Sequence, residues 1–188
     1  MTTNRIPAGL IDSSTEFFTV INSAGAMAMC LYGGKPYCYQ TTPDCRKEIV
    51  RADMKSHPAK EKAMEAMVGP DEDQKLEKYI MCNFGALNED ADIDAYGNIS
   101  APEYVPCPNR GKCKFEGIGC SNIQVGDVLL SNRETPVFRL VKLEDEEIAE
   151  LLFISVNTVK NHFANIRLKT GFKDKKQMIY WATRKGII

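Results

Sequence analysis

The chain has 188 residues, room for one domain or two small ones, and its 44% hydrophobic content is that of an ordinary soluble globular protein. A formal net charge of -1 hides an asymmetry: residues 1–129 carry 13 Lys/Arg against 18 Asp/Glu, and residues 130–188 carry 11 against 7. A uniformly acidic or basic chain is excluded, and two domains are expected, over residues 1–125 and 130–188.

The N-terminal stretch MTTNRIPAGLIDSS lacks a basic region followed by a long apolar segment and a small-residue cleavage site, so no secretory signal is read and a cytoplasmic protein is expected. Phe17 to Tyr32 is the most apolar run, but Asn22, Ser23 and Gly25 interrupt it. It falls short of a membrane span and is expected as a buried strand or helix. Gly33, Gly34, Lys35 and Pro36 are loop material. Pro58 to Val68 reads as a helix with proline in its first turn and Gly69-Pro70 at its end. A second helix is expected from Asp71 to Met81, with Leu76, Tyr79 and Ile80 at helical spacing. Asp90, Asp92 and Asp94 alternate in an acidic loop, yet a calcium loop needs glycine at its sixth position and glutamate at its twelfth. Counted from Asp90, those positions hold Ala95 and Ala101.

Seven cysteines in a cytoplasmic chain do not suggest a disulfide framework. Cys107, Cys113 and Cys120 lie in the loop CPNRGKCKFEGIGC, and Cys82 follows a predicted helix. Four thiolates suit tetrahedral zinc or, alternatively, an iron–sulfur cluster. Arg110, Lys112 and Lys114 would lower the thiol pKa values and favour ligation. The five- and six-residue gaps differ from the short knuckle of zinc ribbons and are similar to the cysteine loop of one class of iron–sulfur regulators. The bland alternative is that these residues are small buried hydrophobes. Cys30, Cys38 and Cys45 are assigned to core.

In the basic C-terminal stretch, SVNTVKNHFANIRLKTG reads as a capped amphipathic helix. Ser155 is the N-cap, Asn157 and Thr158 follow, and Val159, Phe163 and Ile166 form one apolar stripe. Asn157, Lys160, Asn161 and Ala164 fall on the opposite side, with Arg167 and Lys169 at the flanks. Such a face suits the major groove: small or hydrogen-bonding residues over base edges, cations where phosphates pass. Glu147 to Leu152 precedes it as a short helix, and Phe153 to Val156 makes the turn, so the pair is a helix-turn-helix. From Ser155 onward there are 8 basic residues and one acid, Asp174, as a phosphate backbone requires.

The run EIAELLFISVNTVKNHFANIRLKTGF resembles the LuxR/GerE-type helix-turn-helix of bacterial transcription regulators. Leu130 to Glu134 with Val137, Phe138 and Leu140 resembles that family's first helix, and Lys176 to Ala182 its fourth. Two departures are visible: the first connection is two residues short, and Thr170 stands where leucine is usual. Pro136 is tolerable only in the first turn of its helix. The resemblance implies a mainly α chain: a C-terminal four-helix domain beside an N-terminal α+β or irregular cysteine-rich one. It implies that Lys160, Asn161 and Ala164 reach base edges of double-stranded DNA. It also implies a homodimer through the last helix, where Met178, Trp181, Ala182, Ile187 and Ile188 offer apolar surface.

The expected function is a sequence-specific transcriptional regulator with a metal-binding N-terminal domain. Alternatives are an adaptor acting through protein contacts, with RNA polymerase or a phage protein, and a redox-sensing iron–sulfur regulator. No catalytic residues are assigned. His162 lies on the recognition helix and His57 precedes a helix, and neither has a visible partner for acid–base work.

Overall fold

A computed structural model of the chain describes residues 6–23 and 25–188. Residues 1–5, part of the stretch read for a secretory signal, lie outside the described residues, as does Ala24 in the apolar run. The described chain divides into two compact units, one of residues up to Cys107 with Lys114–Ser121, the other of Pro108–Cys113 with Asn122–Ile188. No helix among the described residues is long and apolar enough to cross a membrane.

In the first unit the apolar run is neither one strand nor one helix but a hairpin. Strands β1 (Thr15–Asn22) and β2 (Gly25–Tyr32) pair antiparallel with Phe17 opposite Cys30, and β3 (Lys35–Cys38) extends the sheet in the order β1-β2-β3. The polar interruption at Asn22 and Ser23 therefore marks the reversal. Gly33 and Gly34 form the second reversal, with φ of 58° and 76°. A two-residue hairpin turn of the mirror type needs positive φ at both central positions, which glycine adopts at least cost. Lys35 and Pro36, expected as loop, belong to β3; Pro36 is tolerated because β3 is an edge strand.

Three helices follow: α1 (Asp44–Ser56), α2 (Pro58–Val68) and α3 (Glu72–Asn83). Pro58 opens α2 in its first turn, and the Asp71 side chain caps α3 by accepting the backbone N–H of Gln74 at 2.8 Å. Helix α1 carries only Lys47, Val50 and Met54 inward, a stripe too thin to stand out among its charges. The core joins sheet and helices through Phe17, Cys30, Val50, Met54, Met64, Leu76, Tyr79, Ile80 and Phe84.

Irregular chain then covers the open edge of β1. The backbone N–H of Thr15 donates to the Ile93 carbonyl at 2.8 Å, that of Phe17 to the Asp92 carboxylate at 2.7 Å, and that of Thr19 to the Gly85 carbonyl at 3.0 Å. An edge that would otherwise invite another strand is thus closed from within the unit. Asp94 is occupied locally, accepting from the backbone N–H groups of Tyr96 and Asn98 and from the Asn98 amide. Asp92 and Asp94 therefore serve separate local structures rather than one cation loop.

The second unit opens with a short hairpin, β4 (Gln124–Val125) and β5 (Val128–Leu129), followed by α4 (Glu134–Arg139), α5 (Asp145–Leu152), α6 (Val156–Thr170) and α7 (Lys175–Arg184). Phe138, Phe172 and Trp181 pack ring against ring with centroids 5.9–6.2 Å apart, at separations where aromatic pairs attract.

Asn83, fully buried at the end of α3, ties the first unit together. Its amide donates to the Tyr79 and Gly119 carbonyls at 3.1 and 3.0 Å, and its oxygen accepts from the Lys60 ammonium at 2.6 Å. Asn83→Ala would leave the half-buried Lys60 with only its longer bond to the Ser121 hydroxyl at 3.3 Å and the Gly119 carbonyl without its donor, and is expected to lower the stability of this unit by about 2–3 kcal/mol. Urea unfolding of the full chain, followed at amides of α3 by hydrogen exchange, checks the value.

Candidate nucleic-acid interface

The four helices of the second unit are held in place by a few local bonds. Pro136 is the third residue of α4, inside its first turn, where a missing N–H costs no helical hydrogen bond. In the turn that leads into this helix Ser131 and Glu134 bond reciprocally: the Ser131 N–H and hydroxyl donate to the Glu134 carboxylate at 2.9 and 2.8 Å, and the Glu134 N–H donates back to the hydroxyl at 3.3 Å. Helix α5 opens with a capping box, Glu144 with Glu147. It ends at Phe153, whose φ of 55° makes it the one non-glycine residue in the left-handed region among the described residues. That geometry turns the chain sharply into α6, where the Ser155 hydroxyl caps the helix by accepting the Thr158 N–H at 3.1 Å. Gly171, at φ 76°, closes the far end of α6.

Val159, Phe163 and Ile166 are buried against the unit's core, as their spacing predicts. Ser155, Asn157, Lys160, Asn161, Ala164, Arg167 and Lys169 are exposed, and Thr158 is half-buried. Near the start of α6 the outward surface therefore carries amide, ammonium and methyl groups. Thr170, the departure from the expected leucine, donates its hydroxyl to the Ile166 carbonyl at 2.7 Å and so is satisfied within its own helix.

Lys169 has a role that its position on the helix did not show. Its ammonium donates to both oxygens of Glu134, at 2.7 and 2.9 Å, joining α6 to α4. Glu134 is only 4% exposed. Burial pushes its pKa up, but the bonds from Lys169 and Ser131 outweigh that and hold the carboxyl below its usual range. Lys175 is similarly engaged, donating to the Leu143 carbonyl at 2.6 Å and to Asp145 at 3.1 Å. Arg167 takes part in no side-chain ion pair of this kind among the described residues and is the more available cation of the two flanking ones.

On α7, Met178 and Ala182 are buried and Trp181 packs on Phe138 and Phe172, so the apolar surface expected to support pairing is largely spent inside the unit. Tyr180 remains 64% exposed on the outer side.

The cysteines are dispersed differently from their sequence grouping. Cys82 lies on α3, and Cys107 and Cys120 also belong to the first unit, whereas Cys113 belongs to the second. Cys82 and Cys120 both act electrostatically on Lys60, whose own pKa is held down by burial. Among the described residues no group of three or more His, Cys, Asp or Glu side chains is arranged to hold a metal ion. Cys30 is buried in the core, as assigned, while Cys38 is half-buried and Cys45 exposed.

Residues 128–182 match the family described as bacterial regulatory proteins, luxR family. The oxygen regulatory protein NreC of Staphylococcus aureus, in strains JH9 and JH1, is 37% identical over 62 residues, which are 32% of this chain and 29% of the relative. The chain thus spans less than a third of the length of these curated relatives. No solved structure matches. The segment 128–182 is a LuxR-type helix-turn-helix domain.

Removing the Glu134 carboxylate deletes its bonds from Ser131 and the link from α4 to α6. Glu134→Ala is expected to lower the stability of the second unit by about 2–3 kcal/mol. Because its folded pKa is depressed, the contribution is present above the ordinary carboxylate pKa and fades as the pH falls below it. Denaturant titrations of parent and variant at neutral and acid pH check both the size and the direction.

Proposed function

We propose that this chain is a sequence-specific regulator of transcription that reads double-stranded DNA with α6. The observation that carries the reading is the two-sided character of that helix: a buried Val159, Phe163 and Ile166 stripe behind an exposed Lys160, Asn161 and Ala164 face. An α-helix fits the major groove, where an asparagine amide can bond adenine through two hydrogen bonds and a methyl group can meet thymine. The matched LuxR-type family supports the same use of this segment.

Asn161 is the reader of sequence and Arg167 a phosphate contact. Asn161→Ala is expected to erase about 1–3 kcal/mol of preference at one base pair while leaving nonspecific affinity nearly intact. Arg167→Ala is expected to weaken binding to all duplexes and to lower the slope of log affinity against log salt by about one. Lys169 reaches a phosphate only by leaving Glu134, so its replacement changes the slope less. Fluorescence anisotropy on a panel of duplexes at several salt concentrations separates these roles; a uniform loss for Asn161→Ala would move it to the phosphate group.

The working form is proposed to be a dimer. Two copies of α6 about 34 Å apart would meet successive major grooves on a pseudo-palindromic site. Since Met178 and Ala182 are buried, the pairing surface reduces to Tyr180 with the half-buried Ile187 and Ile188. A contact so small is expected to form on DNA rather than free in solution. Sedimentation equilibrium with and without a two-half-site duplex tests this, and one copy per duplex at saturation would remove the dimer.

Phe153 favours a second reading. It is 95% exposed in a backbone conformation that disfavours large side chains, next to exposed Leu151. Such a group suits a protein contact, with RNA polymerase as the expected partner. A folded protein that binds no duplex in the same anisotropy titration would select this adaptor role.

A further inference from the structure

The first unit contains three carboxylates in an unusual setting. Glu16 on β1 is fully buried, Asp92 is 4% exposed, and Glu103 is half-buried. They share neighbours. Asn88 donates its backbone N–H to Glu16 at 2.7 Å and its side-chain amide to Glu103 at 2.6 Å. Glu103 also accepts the Ala86 N–H at 2.8 Å, and Asp92 accepts the Phe17 N–H on the edge of β1 at 2.7 Å. The second carboxylate oxygen of Glu16 is buried without a hydrogen-bond partner.

The charged groups that act most strongly on these three are one another and the nearby Asp90. From β2, the buried Cys30 thiol also feels Asp92; burial pushes that thiol up to about 12, so it remains neutral and supplies no compensation. Buried carboxylates without a neutralising cation bind protons more tightly in the folded state than in the unfolded chain. Burial raises Glu16 to about 8 and Glu103 to about 7, and burial with repulsion from Glu16 raises Asp92.

We propose that Glu16, Asp92 and Glu103 form a proton-held latch that seals residues 85–93 over the open edge of β1 and loosens as the pH rises through neutrality. The latch is independent of the DNA-reading proposal, since every group in it belongs to the first unit. With its protons bound, the cluster holds the Asp92 and Asn88 bonds without net repulsion. As the protons leave, like charges accumulate around the buried Glu16 and Asp92, and the least costly relief is for the 85–93 segment to lift. The sign follows from linkage: between the ordinary carboxylate pKa and the raised values the folded state binds more protons, so this unit loses stability as pH increases. The freed edge would bare the N–H groups of Thr15, Phe17 and Thr19.

The test is hydrogen exchange on the full chain, resolved at the Thr15, Phe17 and Thr19 amides and corrected for intrinsic rates. Protection is expected to fall at least tenfold between about pH 6 and about pH 8, one proton released giving up to tenfold per pH unit. Amides of α6 serve as the control and should stay level over that range. Glu16→Gln keeps the oxygen that accepts from Asn88 and changes the one without a partner, so it should flatten the fall. Constant protection in the parent, or an equal fall in Glu16→Gln, would overturn the latch. If that variant does not fold, carbon-13 titration of the parent's side-chain carboxyls decides: all three near the ordinary carboxylate pKa overturns the proposal, and raised values for Glu16 and Glu103 sustain it.

Discussion

The buried Glu134 carboxylate is the interaction on which the helix-turn-helix unit depends. It ties the turn at Ser131 to the start of α4 and, through Lys169, fixes α4 to the far end of α6. A helix of six residues is too short to hold itself in water, so α4 persists because this carboxylate and the packing of Val137 and Phe138 hold it. With α4 in place, the stripe Val159, Phe163 and Ile166 has a surface to bury against, and the opposite side of α6 is left outward. The capped turn at Phe153 and Ser155 then sets the direction in which that face points. Function here is a consequence of which side of one helix the core consumes.

Much of the second unit was legible because its signals are local. Ser155 as N-cap, the apolar stripe of α6 and the limit that Pro136 sets on α4 are properties of a few neighbouring residues, and the structure shows each as read. The long-range roles were hidden. Lys169 reads as one more surface cation until α4 brings Glu134 against it, 35 residues away in sequence. Trp181 reads as pairing surface, and its packing on Phe138 and Phe172 shows only once those rings are placed beside it. In the first unit, Pro58 and Asp71 announced α2 and α3, while α1 escaped because Val50 and Met54 are few among charges.

Glu16 was equally invisible, an acidic residue in an apolar run with nothing to mark it as buried. Its environment is made by residues 85–103, which return to close the edge of β1. The two units therefore respond to protons in opposite directions. Glu134, paired with a cation, stabilises when ionised; Glu16, Asp92 and Glu103, facing one another, stabilise when protonated. A single residue type has opposite effects because one site supplies a positive neighbour and the other supplies negative ones. The chain thus couples its fold to pH at two places that can be followed separately.

Selection of duplexes from a random-sequence pool by the full-length protein tests the central claim most directly. Reading by α6 predicts enrichment of a short motif containing an adenine position, with binding that weakens steeply as salt increases. Recovery of the pool without any enriched motif, or no retention of duplex at about 50 mM salt where phosphate contacts are strong, would contradict the assignment of α6 as a sequence-reading helix.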